Sequence, residues 1–249
     1  MTARYRQIAA ALRADIESGY YPPRALLPAI SELTKKFKVS RVTASAAIEL
    51  LENEGLVRAI SGRGTIVQDR RPVKVPLSRY AAVLQPGGNL GPWQRACQAA
   101  GVDGDMVMVD VAREAASSNI AEALGIPAGT LTVRRDRRAT IDGQTVQLHT
   151  AWYAADLVAG TPLAEEDRVE GGVYGALTAA GHAPRSADET LSGRIATAEE
   201  STELRLREAA FVLVIERITR DTDGHPLELL RVVADPARSQ FVYDGLPLI

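Results

Sequence analysis

The sequence predicts an α+β chain in two parts: a small three-helix unit closed by a β-hairpin, then a larger unit built on antiparallel strands. Three observations predict it. Apolar residues recur at helical spacing in three short segments before residue 55. Strand-like segments flank Asp142-Gly143 and Asp223-Gly224, a dipeptide that supplies the positive φ angles a tight hairpin turn needs. Charge is also split along the chain. Residues 1–75 hold 13 Lys and Arg against 7 Asp and Glu, and residues 76–249 hold 16 against 24, so a net charge of −2 conceals a basic head on an acidic body.

The elements of the head follow in order. Tyr5, Ile8, Ala9, Leu12 and Ile16 share one face of a helix over 4–18, which Gly19 and Pro22-Pro23 end. A second helix over 29–37 turns Ile30, Leu33 and Phe37 inward. Ser40, a good N-cap, opens a third over 40–53 with Ala44, Ala47, Ile48 and Leu51 inward. Leu56–Ile60 and Thr65–Val67 then read as strands around Ser61-Gly62-Arg63-Gly64. This order is that of a winged helix-turn-helix, assigned to residues 1–69.

Residues 70–91, with Pro72, Pro76, Pro86 and Gly87-Gly88, read as a linker, extended in part. The body, 92–249, begins with a helix near 93–100 and a strand over 106–111. A helix over 119–124 and strands over 131–141 and 145–153 follow. The pattern then repeats: a helix over 173–180, a strand over 187–194, a helix over 199–206, and strands over 211–219 and 227–234. A shift of 81 residues carries Asp142-Gly143 onto Asp223-Gly224 and Val146 onto Leu227. The body reads either as a duplicated unit, whose two similar halves would meet at a small-molecule cleft, or as two helix-and-hairpin units alike in pattern alone.

Composition bounds the rest. Hydrophobic content of 46% and charged content of 24% are those of a globular protein. No run approaches the ~18 apolar residues of a membrane span, and the first residues lack a signal-peptide core. The one cysteine, Cys97, makes no internal disulfide. A cytoplasmic protein without membrane contact is expected.

A recognition helix reads base edges with its first turns. Here these carry Ser40, Arg41, Val42, Thr43 and Ser45, with Ala46 beside them. Arg41 suits guanine or phosphate, Val42 suits thymine methyl groups, and Ser31 and Lys35 lie on the preceding helix near the backbone. Gly62 and Gly64 allow a tight wing turn from which Arg63 reaches a minor groove. These residues carry a resemblance to the GntR family. The matching strings are Tyr5-Arg6-Gln7-Ile8-Ala9, Leu26-Leu27-Pro28, Val39-Ser40-Arg41-Val42-Thr43, Ala47 through Val57, and Gly62-Arg63-Gly64-Thr65-Ile66-Val67. The resemblance implies DNA contacts from Tyr5, Ser31, Lys35, Ser40, Arg41, Val42, Thr43, Ser45, Gly62, Arg63 and Gly64. Two arginines usual in the family are replaced, by Ser31 and Ser45, so the operator sequence does not carry over from relatives.

The body resembles the UTRA effector domain of the HutC subgroup, and through it the chorismate-lyase fold. The resemblance rests on Leu124-Gly125-Ile126-Pro127, Arg135-Asp136-Arg137-Arg138, Trp152-Tyr153, Gly172-Val173-Tyr174, Gly181-His182 and Asp223-Gly224 through Glu228. Arg135 and Arg137, two apart on a strand, share a face, and paired guanidinium groups suit a phosphate or carboxylate. Matching to the subgroup's ligand positions implies effector contacts from Trp93, Arg135, Arg137, His149, Tyr174 and Glu228. Pro92 and Gly172 stand where relatives often carry serine, which argues against a sugar-phosphate ligand.

Enzyme chemistry finds little support. His149, His182 and His225 are far apart, with no metal-pair spacing, and there is no Gly-x-Ser-x-Gly elbow. No cofactor, metal or catalytic residue is expected. The expected function is a homodimeric regulator, a repressor released from a duplex operator by a small, anionic effector. The competing reading is an enzyme or metabolite sensor with a basic interaction module at its N-terminus.

Overall fold

The computed structural model describes residues 4–76, 91–166, 169 and 171–243. The main division between two compact units falls between Arg71 and Pro72.

The first unit holds α1 (Arg4–Glu17), α2 (Ile30–Phe37), α3 (Arg41–Asn53), β1 (Val57–Ile60) and β2 (Gly64–Val67). The inward residues of the three helices meet in one cluster, in which Leu12, Leu33 and Leu51 are fully buried. Each contributes roughly 1.5–3 kcal/mol by leaving water. The Glu32 carboxylate accepts the Ala29 amide at 2.8 Å and so starts α2. Ser40 Oγ accepts the Thr43 amide at 3.2 Å and starts α3. Arg13 clamps Glu54 at the far end of α3 at 2.6 Å. β1 and β2 pair antiparallel, and a bridge from Leu26 to Ile66 adds a third short edge to the hairpin.

The second unit is a six-stranded antiparallel sheet in the order β4-β5-β6-β9-β8-β7. Its strands are β4 (Gly104–Ala115), β5 (Leu131–Ile141), β6 (Gln144–Ala154), β7 (Ser186–Ile195), β8 (Phe211–Arg220) and β9 (Pro226–Ala234). The helices are α4 (Pro92–Ala100), α5 (Ser118–Leu124), α6 (Gly172–Ala179) and α7 (Ala198–Glu203), with a 3₁₀ turn at Pro162–Ala164. Strand, short helix and hairpin occur twice, as β4-α5-β5-β6 and β7-α7-β8-β9, and the sheet order is a palindrome about the β6–β9 pair. The duplication read from the sequence is thus carried by the topology. Asp142 and Gly143 both take positive φ, 49° and 74°, which closes the first hairpin as the dipeptide predicts.

Two parts of the sequence reading need correction. The stretch read as a linker, 70–91, contains β3 (Val73–Pro76), which pairs in parallel with β10 (Ser239–Val242). Val73 and Val75 are buried beside Trp93, Ala96 and Cys97, and flanking prolines had masked the alternation of a short strand. Residues 77–90 lie outside the described ones. The helix expected over 199–206 stops at Glu203, because Arg205 takes a positive φ of 52°. Among the described residues no helix is long and apolar enough to cross a membrane.

Candidate functional site

In the first unit the N-terminal turn of α3 is presented outward. Arg41 and Ser45 are exposed, Thr43 is half-buried, and Val42 is 79% exposed. Ser31 and Lys35 are exposed on α2, and Tyr5 is half-buried on α1, its ring 5.8 Å from the Arg6 guanidinium. At the wing, Gly62 and Gly64 take φ of 73° and 104°. Side chains rarely adopt these angles, so both positions need glycine. The turn closes through Arg63 N–H to the Ile60 carbonyl at 3.0 Å, which leaves the Arg63 side chain exposed.

In the second unit the strand registers place most of the predicted effector residues on one face. Arg135 lies opposite Ala151, and Arg137 opposite His149. Ala151 and His149 pair in turn with Leu230 and Val232. Glu228 is two residues beyond Leu230 and opposite Thr219. Successive pairs two residues apart share a face, so Arg135, Arg137, His149 and Glu228 point to the same side. Tyr174 reaches that side from α6, its hydroxyl 3.2 Å from Thr219 Oγ1.

The polar groups there are organised. Tyr153 donates its hydroxyl to Glu228 Oε1, and Thr219 donates to Glu228 Oε2 at 3.2 Å. Tyr153 and Glu228 are both buried. Burial, reinforced by the Glu228 charge, pushes the Tyr153 phenol well above its ordinary range, so it holds its proton. The Arg135 guanidinium, 2% exposed, donates to the carbonyls of Pro162 at 3.3 Å, Leu163 at 2.8 Å and Glu165. Burial, with the nearby Arg137, lowers its pKa from the usual arginine value. His149 Nε2 lies 2.8 Å from Gln147 Oε1, and Gln147 donates to Ser239 Oγ at 2.9 Å. Arg137 has a buried Nε with no hydrogen-bond partner among the described residues.

Trp93 is not brought to this group. It lies in the adjoining apolar cluster with Val73, Val75, Ala139 and Ile141, and its indole N–H is satisfied by the Thr140 carbonyl at 3.1 Å. The nearby carboxylates are engaged by other residues: Asp136 binds Arg134 and Thr150, and Glu216 binds Arg231. Sequence reasoning missed Tyr153, Thr219, Gln147 and Arg217. All four are strand residues in phase with a predicted one, so period-two alternation extended from His149 and Glu228 finds them. Asp221, Asp223 and His225 offer ligand atoms within 4.8 Å of one another. They cap a hairpin turn, with Asp221 Oδ1 accepting the Asp223 and His225 amides at 2.9 and 2.8 Å.

A three-helix head with an exposed recognition helix and wing, joined to a sheet domain with an inward polar face, defines the class of DNA-binding transcriptional regulators. Residues 4–67 match the family model of bacterial regulatory proteins of the gntR family, and residues 99–238 match that of the UTRA domain. The chain belongs to the GntR family of transcriptional regulators, in its UTRA-bearing, HutC-type branch. It is 32% identical to an uncharacterized HTH-type transcriptional regulator of Rhizobium meliloti, over 92% of this chain and 89% of that one. It is 26% identical to the HTH-type transcriptional repressor NagR of Bacillus subtilis, over 96% and 93% of the two chains. A crystal structure of a GntR-family transcriptional regulator matches with a TM-score of 0.62 and 27% identity, covering 100% of this chain and 99% of that one. These relatives are regulators, not enzymes. A DNA-binding domain joined to a UTRA effector-binding domain implies two ligands, duplex DNA and a small molecule.

Proposed function

We propose that the protein is a homodimeric repressor, acting in the cytoplasm, that leaves its operator when a small anionic metabolite binds the UTRA domain. The observation that carries the effector's charge is Arg137, with its buried Nε lacking a hydrogen-bond partner among the described residues. It stands beside His149 on the face that also bears Arg135, Glu228 and Tyr174. A half-buried guanidinium whose Nε has no acceptor among the described residues is stabilised by an anion placed beside it. Glu228 and Tyr174 add acceptor and hydroxyl groups that select a ligand with both a charge and hydroxyl or amine groups. The repressor reading draws support from similarity to a protein named as a repressor.

In the head, Arg41, Val42, Thr43 and Ser45 read bases, with Ser40 fixing the helix start. Tyr5, Ser31 and Lys35 hold the backbone, and the Gly62-Arg63-Gly64 wing enters the minor groove. Two heads engage two half-sites, and the effector favours a head spacing that fits the operator poorly. The head is assigned to 1–69, and the effector and dimerisation domain, read from the sequence as 92–249, takes in β3 as well. Fluorescence anisotropy of labelled DNA from beside the coding gene tests the proposal. A thermal-shift screen of phosphorylated and carboxylated metabolites supplies the effector. Sequence-dependent binding reversed by an anionic hit is expected. Binding that does not depend on sequence would overturn the regulator mechanism, and a neutral or cationic effector would overturn the role of the arginine face.

A further inference from the structure

The six-stranded sheet has two edges, and they differ. β4 is broken by a bulge between Met108 and Asp110. Bulges are a standard protection against edge-to-edge association. β7 pairs with β8 without a break from Ser186↔Arg220 to Ile195↔Phe211, and among the described residues no strand lies on its other side. It has no proline, and nine of its ten residues are exposed, Glu189 being half-buried. Leu191, Ile195 and the neighbouring Phe211 are 45%, 55% and 53% exposed.

The hydrogen-bond phase of this edge follows from one bond. Ala196 N–H donates to the Ala210 carbonyl at 2.8 Å, continuing the same register. Antiparallel pairs alternate, so the even-numbered residues of β7 bond to β8. The odd-numbered ones, from Ala187 to Ile195, turn their N–H and C=O groups outward. A second copy placed antiparallel about a two-fold axis pairs with them only in registers that set odd against odd. An axis at Glu189 opposes two like charges, and one at Thr190 sets Glu189 against Leu191. An axis at Leu191 places Asp188 opposite Arg194 of the second copy, twice by symmetry. It also sets Leu191 against itself, Ala187 against Ile195, and Thr190 against Ser192.

We infer that β7 is the dimer edge: a second copy of this chain adds its own β7 antiparallel, with Leu191 on the axis and Asp188 facing Arg194. The two sheets then join into one, and the interface is isologous, as a two-fold dimer requires. The inference rests on the dimer reading above and names the surface that makes the dimer.

Sedimentation velocity of the full chain tests it. The wild-type chain is expected as a dimer. Leu191→Pro removes an N–H that no strand among the described residues uses, and proline is tolerated at outward-facing edge positions. It is expected to keep the wild-type circular dichroism and sediment as a monomer. Asp188→Arg and Arg194→Asp each place like charges opposite across the axis, and each is expected to raise the dimer dissociation constant about tenfold or more. An equimolar mixture of the two is expected to recover dimer, because the heterodimer restores opposite charges at both contacts. Asp188 also binds Arg220, and Arg194 binds Glu200, within the chain. Mixing does not restore those pairs, so recovery reports the interface alone. A folded Leu191→Pro chain with wild-type dimer affinity, or a mixture no tighter than its components, would overturn the edge assignment. A monomeric wild-type chain would overturn the dimer reading itself.

Discussion

Arg137 and Arg217 stand at equivalent places in the two halves of the sheet. The bulges that interrupt the two hairpins fall after Ala139 and after Thr219, so β5 maps onto β8 with a shift of eighty residues, one fewer than the 81 that superposes the turn dipeptides. In the second half Glu189 is in register with Arg217 and forms an ion pair with it. In the first half the residue in register with Arg137 is Met108, and among the described residues no carboxylate pairs with Arg137. The duplicated unit thus sets a carboxylate opposite the arginine in one copy and a methionine opposite it in the other.

The two neighbouring arginines are expected to respond differently to truncation. Arg135→Ala removes a buried charged donor from the carbonyls of Leu163 and Glu165 and is expected to cost roughly 2–3 kcal/mol in urea denaturation. Arg137→Ala removes a group with an unsatisfied buried nitrogen, and a cost of about 1 kcal/mol or less is expected. The same Arg137 variant is expected to lose the thermal shift given by the anionic effector. Equal destabilisation by both would contradict the division of roles.

The Tyr153–Glu228 contact makes a pH-dependent prediction. An unfolded tyrosine ionises near 10, and the native Tyr153 ionises higher, chiefly because it is buried. The stability this contributes is fully present below about pH 10 and is lost as pH rises toward the native value. Tyr153→Phe is expected to cost about 1 kcal/mol at neutral pH and to lessen the fall in stability above pH 10. Denaturation curves from pH 7 to 11 check both; an unchanged alkaline slope would remove Tyr153 as its source.

How far the sequence could be read depended on whether a local signal matched the tertiary outcome. Leu131–Ile141 was legible to the residue because alternation and a turn dipeptide agreed. Ser40 marked the start of α3 because a cap is a local bond. β3 and β10 were not legible, since each is four residues long and is held by a partner more than 160 positions away. Arg135, Arg137, His149 and Glu228 share a sheet face because strand period bears directly on orientation, and Tyr174 reaches that side from α6. Trp93 packs instead in the apolar cluster with Val73, Val75 and Ala139, a contact that no periodicity reports. Tyr153 and Thr219 passed for ordinary strand residues until the buried Glu228 showed what they satisfy.

Cys97 is expected to be inert in the native protein. It is buried, and burial together with Asp103 and Asp142 pushes the thiol up to about 12. At pH 8 roughly one molecule in ten thousand then carries the thiolate. Reaction with a disulfide reagent is expected only after unfolding. Gly104 packs against this thiol, and a Cβ there would stand 2.1 Å from Sγ and 2.6 Å from Cβ of Cys97. Gly104→Ala is therefore expected to cost about 1–3 kcal/mol by overpacking α4 against β4, and to speed labelling. Rapid native labelling of the wild-type chain would refute the packing.

The head makes a prediction separable by salt. Arg63 is exposed at a turn whose two glycines hold it away from the fold, so Arg63→Ala is expected to leave stability within about 0.5 kcal/mol. If Arg63 reads a narrow minor groove, its loss weakens A·T-rich sites more than others and lowers the salt slope of binding by about one. Val42 carries no charge, so Val42→Ala is expected to leave the slope unchanged while relaxing preference at one base pair by roughly 1 kcal/mol. Ser40→Ala acts earlier, through the helix itself. It removes the acceptor for the Thr43 amide, costs about 1 kcal/mol of stability, and frays the turn that carries both Arg41 and Val42. Anisotropy titrations at several salt concentrations, on sites differing by single base pairs, distinguish the three. A Val42 variant that changes the salt slope, or an Arg63 variant that does not, would reverse the roles assigned to helix and wing.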